Sequence, residues 1–146
     1  VISGVSQLNM EKKKNCEILF SNAQKDESID NYTEYIVAAC EQLKTYNSKE
    51  EIKLLNERLG LAFNNRGLAK YKHVDFEDAI KDYSSALIYK PKWPVALYNR
   101  GLIHYRLGRF KNAAVDLETA FAIDPNFADV KKCLEHCYNS INEGKC

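Results

Sequence analysis

Apolar positions in this chain recur every three or four residues, the spacing of one helix face, and polar turns divide them into seven segments. The segment Glu11 to Asn22 carries Cys16, Leu19 and Phe20 on a stripe that continues to Ala23. From Asp26 to Lys44 the stripe is Ile29, Tyr32, Tyr35, Ile36 and Ala39. Thr45 to Ser48 is a polar connector without proline, and Ser48 followed by Glu51 is the capping-box spacing that starts a helix. Only Gly60 and Gly67 interrupt the pattern from there to His73, a rod of roughly 35 Å. Its extra turns are expected to project beyond the neighbouring helices or to cover the first pair. Phe76 to Tyr89 follows. Pro94 then stands at a first-turn position, where its missing N–H costs nothing, and opens the next helix, Val95 to Leu107. Gly108 marks the corner before Phe110 to Ile123, and Asp124-Pro125-Asn126 stops that helix. Ala128 to Ile141 is one further amphipathic helix. Residues 1–10 and 142–146 read as tails, the second frayed.

Within this pattern one unit is written twice. Shifted by 34 positions, Ala62, Asn65, Arg66, Gly67, Leu68, Tyr71, Phe76, Ala79, Asp82, Ala86 and Pro91 fall on Ala96, Asn99, Arg100, Gly101, Leu102, Tyr105, Phe110, Ala113, Asp116, Ala120 and Pro125. The matched types are those helix packing needs. Gly67 and Gly101 let a second helix cross close to the first. Ala79 and Ala113 do so from the other side, and Ala86 and Ala120 admit the next unit. Phe76 and Phe110 fill the corners, and Pro91 and Pro125 end each unit. A single pair leaves an apolar face open, so stacking is required and about three units are usual. A divergent first unit at 11–45 supplies one, with Ser28 expected in the place of Ala79 and Cys16 in that of Gly67. The predicted fold is all-α: a solenoid of three antiparallel helix pairs, 11–45, 48–91 and 94–125, closed by a capping helix at 128–141.

The Gly, Ala, aromatic and Pro positions at this period resemble the tetratricopeptide repeat family. The likeness runs from about Phe20 to Pro125, is strongest at Asn64-Asn65-Arg66-Gly67 and Tyr98-Asn99-Arg100-Gly101, and is weakest before Glu50. It implies a right-handed superhelix whose concave groove, lined by the first helix of each pair, binds protein. By family geometry the groove residues are Leu61, Asn64, Asn65, Leu68, Tyr71 and Lys72 in the middle unit. In the next they are Val95, Tyr98, Asn99, Leu102, Tyr105 and Arg106, and the cap adds Asp129, Lys132, Cys133 and His136. Asn65 and Asn99 can each donate and accept along an extended backbone, and Tyr71 and Tyr105 offer apolar contact with a hydroxyl. The competing reading is that both asparagines bond neighbouring helices. Family members that grip the C-terminal carboxylates of chaperones use a five-residue clamp of Lys, Asn and Arg. Here Asn65 matches and Lys13 is a candidate, but Glu17, Val95 and Asn99 stand where Asn, Lys and Arg are required. Val and Asn supply neither charge nor fork for a carboxylate, so chaperone binding by this route is not expected.

Composition narrows the classes further. With 21 basic and 20 acidic residues the net charge is +1, which disfavours nucleic acid as partner. Lys12-Lys13-Lys14 reads as a solvated helix end. No apolar run approaches a membrane span, and Val1 to Asn9 lacks the apolar core of a signal peptide. Five cysteines without framework spacing suit reduced thiols in the cytosol, with Cys146 expected to be exposed. The sequon Asn31-Tyr32-Thr33 has no meaning without a secretory route.

Candidate chemistry is thin. His73 is expected exposed and His104 is expected to be a satisfied core histidine. Cys133, His136 and Cys137 share a helix face, but no fourth ligand is visible, so buried thiols are the expected reading rather than zinc. No phosphate loop or catalytic triad order occurs. Arg66, Arg100, Asp82 and Asp116 recur in phase; ligand charge is one reading, and an inter-repeat hydrogen-bond or ion-pair ladder is the expected one. The chain is therefore expected to be a cytoplasmic, non-enzymatic adaptor without cofactor, metal, nucleic-acid or membrane partner. Its groove would take a peptide or helix from another protein. The alternative is an assembly element that self-associates through its edges.

Overall fold

Every segment of helical spacing is a helix. The computed structural model describes residues 3–145. They form α1 (Gly4–Lys25), α2 (Ile29–Leu43), α3 (Lys49–Lys72), α4 (Phe76–Tyr89), α5 (Pro94–Arg106), α6 (Phe110–Ile123) and α7 (Ala128–Asn142), with no strand among the described residues. Each helix packs on its neighbours in the chain, so the molecule is a solenoid of three pairs and a cap. The thiol of Cys146 lies outside the described residues.

The largest difference from expectation is at the N-terminus. Residues expected as a tail are helical from Gly4, because Ser3 caps the first turn by accepting from the Ser6 N–H at 3.3 Å. These turns stand in solvent with Val5, Leu8 and Met10 exposed, so they bury no apolar face. Ser28 likewise serves as the N-cap of α2, accepting from the Asn31 N–H at 3.2 Å, and does not occupy the small-residue place. Counted from the helix starts, Tyr32 holds the place of Ala79 and Ala39 that of Ala86; both are buried. At α3 only half a capping box forms. Ser48 Oγ accepts from the Glu51 N–H at 3.4 Å, while the Glu51 carboxylate binds Lys13 Nζ at 2.7 Å.

Three apolar clusters hold the stack. The first joins Cys16, Tyr35 and Ile36 to Leu55 and Leu59, so the extra turns of α3 cover the first pair. The second is small: Ala79, Tyr83 and Ile103, with Tyr71 and Phe76 against them. The third seals α5 and α6 under α7 through Leu97, Leu117, Val130 and Cys137. Close crossing is real at both repeated glycines. A Cβ on Gly67 would meet the Tyr83 ring at 3.0 Å, and one on Gly101 would meet Leu117 at 3.0 Å.

Three helices stop in the same way. After α5, the Gly108 N–H donates to the Tyr105 carbonyl at 3.0 Å and the Arg109 N–H to the His104 carbonyl at 2.8 Å, with Gly108 at φ 71°. After α7, Gly144 and Lys145 repeat these bonds, so residues 142–145 form an ordered stop and not the expected frayed tail. After α3 the left-handed position falls to Val74, at φ 64°.

Candidate peptide-binding groove

Side chains from α2, α3 and α5 meet where the sequence places the groove. Asn99 Nδ2 donates to Asn64 Oδ1 at 3.1 Å, Asn64 Nδ2 to Asn65 Oδ1 at 3.2 Å, and Asn65 Nδ2 to the Tyr32 hydroxyl at 3.3 Å. This relay of amides ties three helices together, as the competing reading required. Asn64 is its hub and is only 5 % exposed, which corrects its assignment as a lining residue. Burial also raises the Tyr32 hydroxyl pKa above its ordinary value. Asn99 Oδ1 accepts no hydrogen bond among the described residues.

Around this relay, Asn65, Leu68 and Lys72 line one cavity of about 160 Å³ with Glu27, Ala69 and His73. The next unit contributes differently. Arg106 lays its guanidinium 5.2 Å from the Tyr71 ring centre, joining one predicted contact residue from each unit. Tyr105 packs on Phe110 at 5.5 Å and near His136 at 6.5 Å, and Tyr98 on Phe127 at 5.1 Å. Tyr98, Leu102 and Tyr105 are half-buried at the rim of the third core, whereas Lys72 and Arg106 are exposed.

The recurring Arg–Asp ion pairs close within each helix pair, and from these arginines only hydrogen bonds cross between repeats, where an inter-repeat ladder was the expectation. Arg66 grips Asp82 with two bonds, 2.9 and 2.7 Å, and Arg100 grips Asp116 at 2.8 and 2.7 Å. The third arm of each fork reaches the preceding pair, at Thr33 Oγ1 and Ser84 Oγ, both 3.0 Å away. Lys70 adds a contact to Asp82 at 2.9 Å. One repeat on, the place of Lys70 is held by His104, which is not the satisfied core histidine expected. It is half-buried, its Nδ1 has no partner among the described residues, and burial lowers its pKa. The hydroxyls of Thr33 and Ser84 were not legible as partners, since neither type marks an ion-pair joint.

Two other candidate constellations resolve simply. Lys13 pairs with Glu51 and Glu17 with Arg58, so both clamp-position residues of α1 are committed to α3. Cys133 and Cys137 are buried against the stack while His136 points to solvent, so the three do not converge. Burial raises both thiols, Cys137 to about 12.

Comparison with known proteins places this architecture. Residues 65–135 match the family model of the tetratricopeptide repeat. A C-terminal repeat domain of a putative FK506-binding protein from Plasmodium falciparum is 20 % identical, with a TM-score of 0.69 over 94 % of this chain and 95 % of that one. The second such domain of human RPAP3, solved with an HSP70 peptide, is 22 % identical with a TM-score of 0.60 over 92 % and 98 %. The myosin chaperone UNC-45 from C. elegans, solved with an Hsp90 peptide, is 26 % identical with a TM-score of 0.59; the match covers 88 % of this chain but 14 % of that one.

Proposed function

We propose that this tetratricopeptide-repeat solenoid is a non-enzymatic interaction module that takes an extended or helical segment of a partner protein in its concave groove. The observation carrying this reading is the cavity that Asn65, Leu68 and Lys72 line. Asn65 is held in the relay, while the Asn99 carbonyl is not spent by the fold, and a polar group of that kind on a packed wall is what a bound backbone needs. Leu68, Tyr71, Tyr98, Leu102 and Tyr105 supply apolar contact, and Lys72 and Arg106 supply charge. Solved neighbours of this fold that hold chaperone peptides support binding as the activity class. The ligand proposed here is not the chaperone carboxylate: Lys13 and Glu17 are engaged elsewhere, and Val95 and Asn99 replace the clamp cations.

Because Asn65 and Asn99 also hold helices together, charge reversal of exposed positions tests the groove more cleanly than alanine. Affinity capture from cell lysate with wild type and with Lys72→Glu/Arg106→Glu is expected to lose at least one protein about tenfold in the variant, with helicity unchanged by circular dichroism. Identical captures would remove the groove as the binding site.

A further inference from the structure

The stretched helix α3 builds a second surface at the edge of the stack. It has 24 residues against 13 in α5, and the first eleven have no counterpart one repeat later. Together with the connector from Tyr89 to Trp93, those extra turns enclose a cleft of about 860 Å³. None of the groove residues lines it.

Trp93 is the chain's one tryptophan, and neither capping nor the apolar cores account for its position. It is the N-cap of α5, where a short polar side chain would bond the first turn, and it makes no such bond. Phe127 holds the same place one repeat on and packs against Tyr98 at 5.1 Å. The residue matching Tyr98 one repeat earlier is the buried amide Asn64, so Trp93 is left without that aromatic partner. It belongs to none of the three apolar cores and walls the cleft instead. Lys90 lies with its Nζ 4.0 Å from the Trp93 ring centre, and its stem crosses α3 at Gly60, where a Cβ would come within 2.7 Å of it.

Charge defines the occupant. Lys49, Lys53, Lys90 and Lys92 line the cleft against a single acid, Glu57. None of the four forms an ion pair among the described residues, although lysines elsewhere in the chain do. Asn56, also in the lining, has a buried Oδ1 without a hydrogen-bond partner among the described residues.

We propose that this cleft docks an acidic segment of a partner protein, with carboxylates on the lysines and an interleaved apolar side chain against Trp93. Successive residues of an extended segment face opposite sides, and those on one side stand about 6.6 Å apart, which suits acids on one side and an apolar residue on the other. An unspent amide at Asn56 suits a peptide backbone, and Glu57 in the wall disfavours a phosphodiester.

Trp93 reports on its own site. The 146-residue chain is titrated with acetylated dodecapeptides alternating Glu with Leu, Ile or Phe, with matched Gln peptides and a twelve-nucleotide oligo-dT as controls. The expected result is a saturable change in tryptophan emission with the Glu peptides alone. It should weaken about fivefold or more between low and 0.3 M salt, and about tenfold or more in Lys53→Glu/Lys92→Glu. Lys72→Glu/Arg106→Glu should leave it unchanged, which separates this cleft from the groove. No saturable change up to millimolar peptide, equal binding of Gln peptides, or insensitivity to the lysine reversals overturns the proposal. Tighter binding of oligo-dT overturns it in favour of nucleic acid. Both lysines are exposed, and unchanged circular dichroism shows that the reversed variant is folded.

Discussion

At the end of α3, Val74 adopts φ 64° with its side chain 69 % exposed, so no packing offsets the cost of a β-branched residue in the left-handed region. The bonds on either side match those around Gly108, 34 residues later, and the backbone there is set by the helix stop rather than by valine. Val74→Gly is expected to stabilise the protein by about 1 kcal/mol, after the entropic cost of glycine, raising Tm by about 3 °C. The reverse change, Gly108→Val, should lower it by at least as much, and thermal melts followed by circular dichroism check both. Strain of this kind was not legible in the sequence, since a repeat is recognised by its identities and Val74 is one of the mismatches. Asn64 was misread for a related reason. Helical phase places it on the groove side, but the amides of Asn65 and Asn99 enclose it, and phase alone does not measure depth.

Among elements, the joints between helices were partly legible. The recurrence of Arg66 and Asp82 as Arg100 and Asp116 marked a repeated joint, because a stack of like units repeats its contacts, but the forks close inside each unit and not between units as expected. The arms to Thr33 and Ser84 escaped, since Thr33 is the fifth residue of α2 and Ser84 the ninth of α4, one helical turn apart, so the 34-residue register does not align them. The start of α1 escaped because it rests on the Ser3 cap, and its few apolar residues, Val5 and Leu8, stay exposed and mark no buried face. Asp116 is 5 % exposed, so removing its fork strands a buried carboxylate. Arg100→Met is expected to cost about 3 kcal/mol in urea denaturation. Arg100→Met/Asp116→Leu should recover most of that, because the stranded charge leaves with its partner. If the double variant is as unstable as the single one, the fork is not what α5 and α6 depend on.

For the whole molecule, the three cores are unequal. The clusters around Tyr35 and around Leu117 are broad, whereas the middle one rests on Tyr83, 1 % exposed, between Ala79 and Ile103. In a stack stabilised by nearest neighbours, cooperativity is limited by the weakest joint. Tyr83→Ala should cost about 3 to 5 kcal/mol and split denaturant unfolding into two steps. Hydrogen exchange should then show α5 to α7 protected after α1 to α3 has opened, or the reverse; a single coincident transition would contradict it. The solenoid itself was read correctly from the repeat, and the unequal cores were not, since they depend on which faces the long α3 covers. The arginine joints also carry a direction in time. Arg66 and Arg100 each bond backward to a hydroxyl already in place and forward to a carboxylate only 16 residues downstream. On a ribosome those residues follow within about 1 to 3 s, so each repeat can lock onto the one before it while the next is still being made.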